Sequence, residues 1–199
     1  DLISISYKMH GTSGISAKVL CKKKLNWYEK ILKKLGINII DTQYDYLWSS
    51  RKVIKNPDLN SNAQHFYGED IWGIAHNDVK EFLQNGQSFY YEIVGNLPSG
   101  GTIQKDYDYG YVTGGYGIYI YRITYTNNDG KVFEFSFKQV QDFCRENGLK
   151  AVPQLYYGLA KDLIPDYPLE QHWHEAFLQC IKDKYNDKDC YMCTMNVPE

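Results

Sequence analysis

The sequence predicts a single α+β domain of mostly antiparallel strands flanked by helices, spanning residues 1–199. Three observations lead there. Runs of alternating apolar and polar residues recur along the chain, and segments with apolar residues at helical spacing stand between them. Two of the strand-like runs flank Asn127-Asn128-Asp129-Gly130, a hairpin turn, so these two are antiparallel neighbours. No internal repeat or low-complexity tract interrupts the pattern, and 199 residues suffice for one sizeable core.

Residues 2–8 alternate, with Ile3, Ile5 and Tyr7 on one face and Ser4, Ser6 and Lys8 on the other. Ile15 to Cys21 reads as a partner strand. Lys24 to Leu35 sets Leu25, Tyr28, Leu32 and Leu35 at helical spacing, and Gly36 closes the helix. Lys22, Lys23, Lys24, Lys30, Lys33 and Lys34 make this the richest positive stretch, read as a solvated face with an RNA-backbone patch as the alternative. Tyr46-Leu47-Trp48 is strand-like. Asn77 is read as the cap of a helix to Asn85, with Val79, Phe82 and Leu83 facing inward and Gly86 at its end. Ser88 to Val94 is a strand, as is Tyr116 to Thr126, where Ile118, Ile120 and Arg122 oppose Tyr119, Tyr121 and Ile123. Lys131 to Phe135 returns from the hairpin turn. Ser136 with Gln139 fits a capping box for a helix through Phe137, Val140 and Cys144 to Gly148. A last helix runs from about Leu169 to Tyr185, its core face Leu169, Trp173, Ala176, Phe177, Cys180 and Ile181.

Composition limits the partners. A hydrophobic content of 43% and a charged content of 23% are those of a soluble globular protein. Tyr 19 and Trp 4 are high for this length, which suits half-buried strands and stacking on bases. The formal net charge is -2, so any RNA surface must be a local patch. Five Cys is an odd number and no signal-peptide pattern opens the chain, which predicts a reducing, cytosolic compartment. No run of about 18 apolar residues exists, so no membrane span and no membrane partner are expected.

The chemistry concentrates near the N-terminus. The strand Leu2–Ser6 delivers Lys8 into the turn Met9-His10-Gly11-Thr12-Ser13. That order suits a lysine acting as a nucleophile beside a bound phosphate. Such a lysine must shed its proton, through burial or a nearby cation. Gly11 lets the backbone approach phosphate or ribose with no side chain between. Further on, Arg51 follows Tyr46-Leu47-Trp48-Ser49-Ser50, and guanidinium bonds phosphate oxygens in pairs. In Phe89-Tyr90-Tyr91-Glu92-Ile93-Val94-Gly95 a carboxylate sits among apolar strand residues and needs a partner if buried.

These segments resemble, in order, those of the covalent nucleotidyltransferases. Lys8-Met9-His10-Gly11-Thr12-Ser13 is similar to motif I in the K-x-H-G-T-[NS] form of the RNA ligase 2-like branch; DNA ligases and capping enzymes usually have Asp where His10 stands. Ser49-Ser50-Arg51-Lys52 resembles motif Ia, the stretch around Glu92 motif III, and Ile118 to Ile123 motif IIIa. Gly101-Thr102-Ile103-Gln104-Lys105-Asp106-Tyr107-Asp108-Tyr109 is similar to the segment that follows motif III in the same branch. The likeness covers roughly residues 2 to 155.

The resemblance implies an ATP-grasp-like adenylation domain and an ATP-dependent RNA ligase. Lys8 would attack the α-phosphate of ATP and carry AMP, with Mg²⁺ (or Mn²⁺) assisting. AMP would then pass to an RNA 5′-phosphate, and a 3′-hydroxyl would displace it. Lys8 and Arg51 take catalytic roles; Met9, His10, Gly11, Ser13, Arg51, Glu92 and Tyr121 hold the nucleotide, Glu92 at the ribose and Tyr121 against adenine. Tyr119 shares the face of Tyr121 and is the alternative platform. The implied setting is RNA repair in a bacterial or phage-infected cytosol.

Departures stand beside the matches. Arg122 replaces a usual Asp, and Tyr7 a frequent Glu. Motifs IV and V are missing, so the resemblance implies a catalytic domain incomplete at both ends, with Glu199 in or just before motif IV. A DNA ligase, a capping guanylyltransferase and a non-catalytic RNA-binding relative are the rival readings. Zinc at Cys190 and Cys193 with His172 and His174 is not expected, because two residues on a helix turn the histidines about 200° apart. No metal ligands are assigned. Gly110 to Gly117 lacks the Gly-Lys-[Ser/Thr] ending of a P-loop and reads as a flexible loop. His65 and His76 read as structural or exposed.

Overall fold

A computed structural model describes residues 1–55, 66–163 and 173–198. The strands are β1 (Leu2–Ser6), β2 (Thr12–Lys22), β3 (Thr42–Ser50), β4 (Ile54–Lys55), β5 (Gln87–Gly95), β6 (Tyr116–Thr126), β7 (Val132–Glu134), β8 (Lys150–Ala151) and β9 (Gln154–Leu159). The helices are α1 (Trp27–Lys34), α2 (Ile71–Val79), α3 (Phe137–Glu146), α4 (Ala160–Leu163) and α5 (Trp173–Tyr185). The fold is α+β, with mostly antiparallel sheets flanked by helices. One sheet runs in the order β4-β3-β2-β5-β6-β7, with β8 parallel to β6. The other is the antiparallel pair β1-β9. Among the described residues no helix is long and apolar enough to cross a membrane.

The chain divides into two compact units. The first holds residues 1–12, 92–121 and 139–199; the second holds 13–91 and 122–138. Strands β5 and β6 contribute to both.

In the first unit, Ile93, Val94, Ile103, Ile120, Val140 and Cys144 are buried. Burial of apolar surface at about 25 cal/mol per Å² is what stabilises such a cluster. Helix α3 turns Val140 and Cys144 inward, and burial pushes the Cys144 thiol up to about 12. All five cysteines are free thiols.

The first unit departs from expectation at its edge strand. Residues 15–21 are not the partner of β1; that partner is β9, registered Leu2↔Leu159 through Ser6↔Gln154 with an irregularity between Ile5 and Ser6. After β1 the chain turns so that Gly11 packs on Ile93 of β5, and residues 15–21 pair with β3 instead. The Gly110–Gly117 loop is pinned rather than loose. Asn96 donates its amide to the carbonyls of Tyr111 and Val112 at 3.0 and 3.1 Å, and its N–H to Gly115 at 2.8 Å. Helix α5 starts at Trp173 among the described residues, Ala176 is exposed, and Phe177, Cys180 and Ile181 are only half-buried. Leu169 and His172 lie outside the described residues.

In the second unit β2 pairs with β3 from Gly14↔Ser50 to Lys22↔Thr42, and Ala17, Ile71, Trp72, Ala75, Val79, Phe89 and Tyr91 make the core. The helix expected over 77–85 lies earlier. Ile71, Trp72, Ala75 and Val79 form the buried stripe, so α2 must begin at Ile71, and Asn77 sits inside it rather than capping it. Gly73 lies off that stripe, where a Cβ would meet the Asp70 carboxylate. After α2 a short 3₁₀ turn, Lys80–Phe82, leads to Gly86, whose φ of +86° reverses the chain into β5. Helix α1 is shorter than residues 24–35, none of its residues is buried, and Tyr28 and the flanking Leu35 are exposed. The Asn127–Gly130 turn forms as expected, with Gly130 N–H donating to Asn127 and Gly130 at φ +81°. His65 lies outside the described residues.

Candidate functional site

The turn after β1 is shaped by its backbone. Tyr7 N–H donates to the carbonyl of Pro153 at 3.1 Å, fixing the exit from the strand. Met9 is buried and anchors the turn, while Lys8 on one side of it is exposed. Lys8 lines an open cleft of about 190 Å³ with Ser6, Tyr7, Leu155 and, from α5 and its end, Lys182 and Asn186. Ligand pockets for whole drug-sized molecules run from roughly 300 to 1,000 Å³, so this cleft suits a phosphate or sugar rather than an entire nucleotide.

Gly11 packs on β5 directly after Glu92. A Cβ at this position would run into the carbonyl oxygen of Ile93 and lie 2.9 Å from Val94 Cγ1. Only glycine permits that approach, because the obstruction is backbone. His10 is held from the other side. Its N–H donates to the Tyr109 hydroxyl at 2.6 Å, and its ring lies over Tyr107 with centroids 4.3 Å apart and planes tilted 30°.

The 106–109 turn that receives His10 is unusual. Asp106 and Tyr109 hold φ of 69° and 50°, left-handed values that non-glycine residues rarely adopt. Such a conformation is worth of order 1–3 kcal/mol of strain, sustained here by surrounding contacts. Tyr109 is buried, and Asp108 accepts hydrogen bonds from Gly110 N–H at 3.0 Å, from Thr194 N–H at 2.9 Å and from the Thr194 hydroxyl. Partial desolvation opposes ionisation of Asp108, but those bonds prevail and hold its carboxyl below the usual range. Tyr107 donates its hydroxyl to Pro198 at 2.5 Å, so the last described residues close against the same turn. Tyr7 meets Tyr191 there, ring centroids 5.4 Å apart.

Glu92 is half-buried on β5. On β6, Tyr121 is 40% exposed, whereas Tyr119 is 6% exposed. The Tyr119 hydroxyl lies 3.3 Å from that of Tyr111, which accepts from Lys150 Nζ at 2.7 Å, and Lys150 sits over the Tyr119 ring at 5.6 Å. Burial and the Tyr111 bond push the Tyr119 hydroxyl well above the usual tyrosine range. Tyr119 is therefore engaged as structure, and Tyr121 is the ring with an accessible face.

Lys8, Met9, His10, Gly11, Glu92 and Tyr121 all belong to the first unit. Ser13 and Arg51 belong to the second. There the Ser13 carbonyl accepts Trp72 Nε1–H at 3.0 Å. Arg51 is exposed and follows Ser50, the partner of Gly14, so it leaves the sheet at the end where β2 begins. Arg122 has a local use: its guanidinium grips the Glu134 carboxylate through two bonds of 2.9 Å and lies 4.8 Å above the Tyr90 ring.

Sequence reading missed Lys182 and Asn186, which reach the Lys8 cleft only through tertiary packing of α5. It quoted Tyr107 and Tyr109 within a matched segment without giving them a role. Their signal was the clustering of Tyr and Asp around a turn. Among the described residues no three His, Cys, Asp or Glu side chains gather as a metal cage. No protein-family model matches the chain, and no curated protein does.

Proposed function

We propose that this chain is an adenylation domain of the ATP-grasp-like nucleotidyltransferase type and acts in an ATP-dependent RNA ligase. One observation carries the reading. Gly11, in the turn after Lys8, packs on Ile93 beside Glu92, and its neighbour His10 packs on Tyr107 and Tyr109. Three of the segments that resemble the family in sequence order, around Gly11, Ile93 and Tyr107–Tyr109, therefore touch one another, which supports the reading.

In this reading the lone pair of Lys8 Nζ attacks the α-phosphorus of ATP. A P–N bond forms, the bond to the bridging oxygen breaks, and pyrophosphate leaves with the electron pair. The Lys8 cleft suits a phosphate or sugar, and Lys182 on its wall offers a second positive charge to the leaving oxygens. Glu92 would accept from the ribose hydroxyls, and the accessible face of Tyr121 would carry adenine. Arg51 has its phosphate-contact role from the resemblance alone. Mg²⁺ needs one or two carboxylates beside substrate phosphates, so it would arrive with the triphosphate and neutralise its charge. AMP passes next to an RNA 5′-phosphate, and a 3′-hydroxyl displaces it to close the phosphodiester.

The test is incubation of the full gene product with α-labelled ATP and Mg²⁺, then a denaturing gel. Covalent label that vanishes in Lys8→Ala supports the reading. Absence of label on folded protein overturns it.

A further inference from the structure

Helix α1 does not serve the core. None of its residues is buried, and Trp27 is 75% exposed. An amphipathic helix ordinarily pays its way by burying an apolar stripe. This one is held by ions at its ends instead. Glu29 accepts from Asn26 N–H at 2.7 Å and from Lys23 Nζ at 2.8 Å, and Lys33 pairs with Asp41 at 2.5 Å.

Beside the helix lies an open cleft of about 490 Å³. Lys22, Lys23, Lys24, Lys30 and Lys33 line it, and Asp41 is its one carboxylate. Residues 22–34 hold six lysines against Glu29, in a chain whose formal net charge is -2. Both carboxylates are already committed to one lysine each, so Lys22, Lys30 and Lys34 stand exposed outside those ion pairs. Trp27 and the half-exposed Tyr28 rise from the same helix, their rings edge-on with centroids 6.2 Å apart. Cations that follow a phosphate backbone, next to accessible aromatic rings, are the arrangement that binds single strands without regard to sequence.

We infer that this lysine cleft and the α1 aromatics form a docking surface for single-stranded RNA, in which the lysines follow the phosphates and Trp27 stacks on an unpaired base. The inference rests on the RNA-ligase reading for its choice of RNA, and adds where on the second unit the strand is gripped.

The test is fluorescence anisotropy with a labelled oligouridylate of about 20 nucleotides, longer than a typical single-strand footprint, read across a salt series. Each phosphate contact contributes about 0.7 to the slope of log affinity against log salt. Lys22→Ala/Lys24→Ala/Lys30→Ala should lower the slope by about 2 and weaken binding at least about tenfold. Trp27→Ala should weaken binding roughly 5- to 100-fold with the slope unchanged, and Trp27→Phe should restore most of it. Equal curves for the triple variant and the parent would overturn the docking surface. So would triple-variant-sensitive binding to phosphatidylserine vesicles without binding to the oligouridylate. Adenylate labelling in parallel separates the two proposals. A chain that labels but whose RNA binding ignores α1 loses only this surface; one that grips RNA through α1 and never labels loses only the ligase reading.

Discussion

Each unit holds a histidine packed against aromatic rings, and the two sites differ in almost everything else. In the first, His10 lies half-buried over Tyr107, its N–H on Tyr109, with exposed Lys8 two residues away. In the second, His76 is 3% exposed; its Nδ1 lies 3.0 Å from Ser16 Oγ, which lies 2.9 Å from the Tyr91 hydroxyl. Trp48 stacks on the His76 ring at 5.0 Å and Tyr46 meets it edge-on at 5.8 Å. A serine, a histidine and a tyrosine in hydrogen-bond contact suggest a nucleophile and its base. Yet Ser16 is fully buried, and every polar atom is answered from within. That is a satisfied polar core, which fixes the packing of α2 against its sheet. Residue types do not separate a reactive site from a structural one; access does.

Lys8→Ala is the strongest break in that contrast. Labelling by ATP should fall on the order of 10⁴-fold or more, as when a covalent nucleophile is removed. Because Lys8 is exposed, the thermal midpoint should stay near that of the parent. A paired glycine test comes next. Gly11→Ala would press a methyl into the Ile93 carbonyl, and Gly14→Ala would press one into the Tyr91 ring. Each should lower stability by about 1–3 kcal/mol as overpacking does. Only Gly11→Ala should also cut the labelling rate, by about 10²-fold, since a displacement near 1 Å at a reacting group has that effect. Chemical denaturation beside a labelling time course reads both. Equal labelling loss in the two variants would remove the distinction between the sites.

The sealed site should announce itself through pH. Burial first, and the Lys80 charge second, lower the His76 pKa from 6.5 to about 4. The folded-state value is depressed, so the stability it contributes is fully present above pH 6.5 and is lost as pH falls toward about 4. The unfolded chain binds a proton there that the native chain refuses. At about 1.4 kcal/mol per unit, the loss approaches about 3 kcal/mol. His76→Asn, whose amide can reach Ser16 as Nδ1 does, should flatten this slope in urea titrations taken between pH 7 and 4. A slope that persists in the variant would assign it to the carboxylates instead.

Much of this fold was legible because its signals are local. Tyr116–Thr126 alternates and forms β6 with those bounds, and Asn127 to Gly130 turns as its residues require. What escaped depends on distant partners. The pairing of β1 with β9 joins distant ends of the chain, from Leu2↔Leu159 to Ser6↔Gln154, and no local pattern encodes it. Helix α1 has the periodicity of a packed helix, yet none of its residues is buried, because period reports a face and not what covers it. For the candidate site, Lys8, His10 and Gly11 were visible in their order. Lys182 was not, because it reaches the cleft only through folding of α5.

Tyr119 and Tyr121 are where the sequence left two answers, and the two rings differ in burial. Both rings sit on β6, two residues apart, so the alternation of the strand cannot separate them. Exposure can: Tyr121 is 40% accessible and Tyr119 is 6%. A stacked base loses about 1–3 kcal/mol when its aromatic platform becomes alanine. Tyr121→Ala should therefore raise the ATP concentration needed for half-maximal labelling by roughly 5- to 100-fold, and Tyr121→Phe should leave it nearly unchanged. Tyr119→Phe removes a 3.3 Å contact to Tyr111 and should lower stability by about 1 kcal/mol or less without moving the ATP requirement. If Tyr119→Phe moved the ATP requirement and Tyr121→Ala did not, the Tyr119 hydroxyl would be the nucleotide contact, and the open ring on β6 would need another explanation.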